Sequence, residues 1–210
     1  MGKKALIVFG AWQGHHPKEC ADLFAARLPK EGFDVELSET LDVYLDKAKM
    51  DSASVIVPMW TMGQITKEQL KGLLEAVKGG VGIAGFHGGM GDSFRNNPEY
   101  QFMVGGQWVS HPGGKVPSYV INIVDHDHPI TKGVKDFTMT DTEQYYMHVD
   151  PSNTVLAKTT CLNGAVMPAV WTRAWGQGKV FYASYGHTEK DFEVPEAYEI
   201  VKRGVVWASR

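Results

Sequence analysis

The chain has 210 residues, 43% of them hydrophobic, enough to bury a full core as a single domain over 1–210 without disulfides. Its formal charge of -3 comes with scattered Lys and Arg, which excludes the basic stripe of a nucleic-acid groove, and no apolar run approaches the ~20 residues of a membrane span. Cys20 and Cys161 lack CxxC spacing and the N-terminus carries no secretory h-region, so a cytoplasmic setting is expected, with neither nucleic acid nor membrane as partner.

In chain order, Ala5 to Phe9 is a continuous apolar run ending at Gly10, as in a strand buried on both faces of a parallel sheet. Pro17 fits the first position of a helix with Cys20, Leu23, Phe24 and Leu28 at helical spacing, closed by Gly32. Val35 and Leu37 form a short strand, and Ser54 to Pro58 another. Thr66 with Gln69 is a capping-box pair opening a helix whose inner stripe is Leu70, Leu73, Leu74 and Val77, ended by Gly79 and Gly80. Val81 to Ala84 is the next strand. The first 90 residues therefore read β-α-β-β-α-β, a doubly wound α/β pattern with a mostly parallel sheet and helices on both faces.

Between residue 90 and the strand-like Tyr119 to Val124 the periodicity fades, and site-forming loops are expected there. Ala169 to Trp175 and Lys179 to Ser184 read as a hairpin through Gly176-Gln177-Gly178 with one left-handed glycine. Pro195 starts a last helix with Ala197, Ile200, Val201, Gly204, Val205 and Ala208 on one face. No internal repeat or low-complexity segment interrupts the chain.

Gly85-Phe86-His87-Gly88-Gly89 is the sharpest local signal: a strand running into a glycine-rich elbow, with His87 displayed where such folds place a Ser or Cys nucleophile. Imidazole moves protons or binds metals instead. Parallel sheets bind ligands beyond the carboxyl ends of their strands, and the loops there also carry His15-His16-Pro17 and Gly186-His187. His16, at the expected helix start, is preferred over His15. Glu143, followed by Tyr145 and Tyr146, is the partner carboxylate, with His148 just beyond. Trp60, Trp108 and Trp171, with those tyrosines, suit sugar faces as well as core packing. His126 and His128, among Asp and Pro, read as a turn.

These segments resemble the ThuA-like (trehalose utilisation) family of the class I glutamine amidotransferase-like superfamily. The resemblance is carried by the elbow, by Gly106-Gln107-Trp108-Val109-Ser110-His111-Pro112, by His128-Pro129-Ile130-Thr131, by Glu143 through Pro151, and by Trp175 to Tyr182 followed by Gly186-His187. It implies a flavodoxin-like fold and a role in sugar catabolism beside dehydrogenases that make 3-keto sugars. His87 stands where the amidotransferase cysteine would be, and neither Cys20 nor Cys161 is expected after a strand to replace it, which argues against glutaminase chemistry.

The resulting expectation is an isomerase, lyase or hydrolase acting on a keto-glycoside or related sugar, with His87 and Glu143 as the acid/base pair. His16, Trp60, Gly88, Tyr145, Tyr146, His148 and His187 would bind the substrate. A divalent metal, zinc or similar, is an open cofactor whose candidate ligands are His16, His87 and His187, and would make the enzyme a metal-dependent hydrolase. The reading from another class is a non-catalytic sugar-binding or regulatory protein with a cleft that lacks the nucleophile. Assembly as a homo-oligomer is left open.

Overall fold

The computed structural model describes residues 2–210. The apolar run at the start becomes β1 (Lys3–Ala11), with Ala5 to Phe9 fully buried, and Pro17 opens α1 (Pro17–Arg27) as expected. That helix stops before Gly32 because Pro29 has no N–H to continue the ladder; a tight turn over Leu28–Glu31 follows, and Gly32 (φ 85) closes it. Next come β2 (Phe33–Ser38) and α2 (Lys47–Ser52), the latter absent from the sequence pattern because six residues are too few to show a helical period. After β3 (Val55–Thr61), the capping box forms as expected: Gln69 N donates to Thr66 Oγ1 (3.1 Å) and Thr66 N to Gln69 Oε1 (2.9 Å), starting α3 (Lys67–Lys78).

The elbow strand is β4 (Gly82–Phe86), running directly into the short α4 (His87–Gly91). The segment expected to be loops instead holds α5 (Pro98–Val104), β5 (Gly106–Ser110) and the start of β6 (Lys115–Ile123). Then come β7 (Phe137–Glu143), β8 (Tyr146–Val149), β9 (Thr154–Thr160), β10 (Val166–Trp175), β11 (Gly178–Ala183) and α6 (Pro195–Ala208). β10 and β11 are the expected antiparallel hairpin, with Gly176 left-handed at φ 61.

Nine strands form one sheet in the order β2-β1-β3-β4-β11-β10-β9-β6-β7, and β5 pairs with β8 in a separate ribbon. From β2 to β11 every pairing is parallel, which is the doubly wound, flavodoxin-like half; from β11 to β7 every pairing is antiparallel. Helices cover both faces. On one, Cys20, Ala21 and Phe24 of α1 and Ile200, Val201 and Val205 of α6 pack on Ile7, Val57 and Ala84; on the other, Leu70, Leu73 and Val77 of α3 and Met103 and Val104 of α5 pack on Val8, Ile56 and Ile83.

This topology positions Glu143. It ends β7, five strand spacings from β4, so a flat sheet would hold it about 24 Å from the elbow. Its carboxylate in fact meets His87, so the antiparallel extension folds back over the carboxyl edge of the parallel half.

A buried histidine and glutamate cluster at the carboxyl edge

His87 adopts the elbow conformation expected of it, at φ 45, a left-handed backbone that costs a non-glycine residue about 1–3 kcal/mol and is tolerated where the surroundings fix it. Those surroundings are explicit. Tyr182 Oη donates to the His87 carbonyl (3.0 Å), and the Tyr145 ring stacks on the imidazole at 3.8 Å. Gly88 keeps the next step open: a Cβ there would collide with the His15 ring, 2.7 Å from its Nδ1, and lie 2.9 Å from Tyr145 Oη.

Three imidazoles surround one carboxylate oxygen. His87 Nε2 is 3.2 Å, His187 Nδ1 3.3 Å and His15 Nε2 3.8 Å from Glu143 Oε2. All four residues are buried, and one ligand-type atom from each lies within 4.8 Å of the others. Each comes from the end of a different strand. His15 follows β1 through the turn Gln13–His15, His87 follows β4, His187 follows β11, and Glu143 closes β7. Second contacts hold the rings: His87 Nδ1 lies 3.0 Å from the Ser184 carbonyl, and His15 Nδ1 2.9 Å from Thr61 Oγ1. Asp191 fixes the His187 backbone by accepting from its N–H (2.8 Å), and also accepts from Thr142 Oγ1 (2.9 Å).

Burial pushes the His87 imidazole down to about 3, and lowers His15 as well, so both rings are neutral at pH 7. Burial alone would raise the Glu143 carboxyl, but its contacts with the His15, His187 and His87 imidazoles outweigh that and hold the group well below the ordinary carboxylate range. Burial raises the Tyr145 phenol far above its usual range, leaving it protonated at the edge of the cluster. A small cleft of about 80 Å3 leads in from solvent, lined by Trp12, Thr61, Asp92, Trp108, His111 and Tyr145 among others. Arg95 forms its wall, bidentate on Asp92 (2.6 and 2.8 Å) with its guanidinium 4.3 Å over Trp108. A larger groove of about 700 Å3 between α3 and α5 is lined by Leu70, Leu74, Phe102 and Trp175 and offers only lysines and glutamates as titratable groups.

The structure thus brings together His87, Glu143 and His187, with Gly88 and Tyr145 against them. It does not bring in His16. That residue sits at φ 47 on the other side of the backbone, its ring 44% exposed and 2.8 Å from Glu189, while His15 takes the place in the cluster. Trp60 packs its ring against Gly10 and Gly63, away from the cluster; Tyr146 is half-buried and His148 exposed, both on the β5–β8 ribbon. Trp171 is core, its indole donating to the Val104 carbonyl. Cys161 does directly follow a strand, β9, contrary to expectation, but its thiol donates to the Tyr145 carbonyl (3.7 Å) and is not among the groups on Glu143. His111, part of the Gly106 to Pro112 motif but not among the expected site residues, lies 3.9 Å from the second oxygen of Glu143.

No helix among the described residues is long and apolar enough to cross a membrane. In overall structure the chain is similar to a ThuA-like protein from Bacteroides uniformis (TM-score 0.81, 18% identity, 98% of this chain and 91% of that one). It is similar also to one from Parabacteroides merdae (0.74, 20%, 99% and 89%). A cytoplasmic protein from Salmonella typhimurium aligns over 99% of this chain and all of its own, at TM-score 0.73 and 14% identity. A search of curated proteins finds no match. The model of the ThuA family, described as trehalose utilisation, matches residues 4–208, and the chain belongs to that family.

Proposed function

We propose that this chain is a cytoplasmic enzyme of sugar catabolism that acts on a 3-keto-glycoside or related sugar, as an isomerase, lyase or hydrolase. The observation that carries this reading is the convergence of His15, His87, His187 and Glu143 within 4.8 Å, beyond the carboxyl ends of the parallel strands and with His87 on the elbow after β4. A set of lone-pair nitrogens and one carboxylate suits proton transfer beside a carbonyl and cannot form an acyl-enzyme as a Cys or Ser does. The family description, trehalose utilisation, supports a sugar as the substrate.

A keto group acidifies the adjacent C–H, and its removal builds negative charge on the carbonyl oxygen. In this reading the Glu143 carboxylate takes the proton, Tyr145 donates its phenolic hydrogen bond to the carbonyl oxygen, and Trp12 and Trp108 flank the ring. Neutral His87 acts as a lone-pair donor, not as a general acid. Both cysteines are free, in keeping with a reducing compartment. The test is a panel of glycosides and their 3-keto derivatives, followed by NMR with native protein and with His87→Ala and Glu143→Gln shown to be folded. Turnover of keto-glycosides by native protein alone supports the reading; binding without turnover across the panel favours a sugar-binding protein.

A further inference from the structure

Three imidazole nitrogens converge on Glu143 Oε2. The Ser184 carbonyl only accepts, so its contact with His87 Nδ1 places a ring hydrogen there, and Nε2 of the same ring lies 3.2 Å from Oε2. Among the described residues His187 Nδ1 has no hydrogen-bond partner; it is buried, 3.3 Å from the same oxygen. His15, with Nδ1 on Thr61 Oγ1, directs Nε2 the same way. Three nitrogens and an anionic oxygen crowd a buried spot, and one proton can bridge only one of those pairs.

We propose that His15 Nε2, His87 Nε2, His187 Nδ1 and the Glu143 carboxylate bind one divalent transition-metal ion of the zinc class. Metal–ligand bonds of about 2.0–2.1 Å in a tetrahedral site put neighbouring ligand atoms about 3.4 Å apart; here Glu143 Oε2 lies 3.2, 3.3 and 3.8 Å from the three nitrogens, and the four ligand atoms lie within 4.8 Å of one another. Imidazole nitrogens with a single carboxylate favour zinc, manganese, iron or cobalt over magnesium or calcium, which take mainly oxygen ligands. Thr61 Oγ1 and the Ser184 carbonyl are then the orienting partners that aim the ligating nitrogens of His15 and His87. The ion's charge exceeds that of its one carboxylate, leaving a net positive centre at the end of the cleft, suited to a carbonyl or enediolate oxygen. Its use on a sugar rests on the functional reading above; the binding itself does not.

The test uses the full chain, stripped with a chelator and dialysed, with no sugar present. Cobalt(II) chloride is titrated while visible absorption is followed, and zinc chloride by calorimetry. The expected result is one ion per chain, with cobalt d–d bands and a raised thermal midpoint. His15→Ala should abolish the bands, Thr61→Val should weaken binding about 10–100-fold while leaving the fold intact, and His16→Ala should change nothing. Substoichiometric binding overturns the proposal, as does one-to-one binding that neither His15→Ala nor Thr61→Val weakens. Failure on keto-glycosides with intact metal binding would overturn the sugar reading alone.

Discussion

His15 and His16 are neighbours in the chain with opposite destinations: the His15 ring turns in on Thr61 and Glu143, and the His16 ring turns out to Glu189. The left-handed backbone at His16 makes the turn. His15→Ala is therefore expected to abolish turnover, whereas His16→Ala keeps it near the native level. The half-buried His16–Glu189 pair lies at the protein surface, where such pairs contribute about 1 kcal/mol or less, so the thermal midpoint of His16→Ala should move little. Steady-state kinetics and a melting curve of each variant check this.

Gly88 is the tightest point of the cluster. Its backbone is one that alanine can adopt, so Gly88→Ala tests crowding alone: the new methyl meets His15 and Tyr145 Oη. Overpacking of this kind costs about 1–3 kcal/mol, and the displaced His15 ring should take activity with it. A Gly88→Ala protein that is folded and fully active would show that His15 need not stand where it does.

The parts of this architecture legible in the sequence are those where local chemistry and tertiary environment agree. The Thr66/Gln69 cap, the left-handed Gly176 and the elbow at His87 each form as their residues dictate. β7 was illegible for a definite reason. Phe137 to Thr140 alternates buried and exposed, but Asp141 at φ 49 breaks the period, so Thr142 and Glu143 are both buried and the segment reads as a polar loop. α5 has the signal of an Asn97 cap before Pro98, yet its seven residues are too short for a helical stripe. In the sequence, Pro17 at a helix start points to His16 over His15. The helix does start there, but the cap position faces solvent, and only the intervening turn at Gln13–His15 decides which ring goes inward.

Both thiols should be inert in the native protein. Cys20 and Cys161 are 1% and 3% exposed, and burial raises both above their ordinary range, so the reactive thiolate is scarce at neutral pH. A thiol reagent should label neither residue until denaturant is added, and then both. Native-state labelling that coincides with loss of activity would return a cysteine to the chemistry.

Asp150 provides an acid-range marker remote from the cluster. Hydrogen bonds from the Ser152 N–H and hydroxyl (both 2.8 Å) and from Arg173 Nη1 (3.0 Å) hold its carboxyl down to about 2, from a usual value of 3.8. A carboxyl lowered on folding adds stability that is present above its unfolded value and lost as the pH falls through the folded one. Asp150→Asn should thus be less stable than native at pH 7, with the difference closing between pH 4 and pH 2. Denaturant melts across that range measure it.

The most direct measurement is proton exchange at the reacting carbon. A 3-keto-glycoside is incubated in D2O with metal-supplemented native protein, and the C–H signals beside the carbonyl are followed by NMR. Native protein should replace those protons with deuterium or carry the sugar on to product, and folded Glu143→Gln should do neither. If native protein leaves the signals and the sugar unchanged, or if Glu143→Gln exchanges them as fast, the cluster of His15, His87, His187 and Glu143 is not the centre of this chemistry.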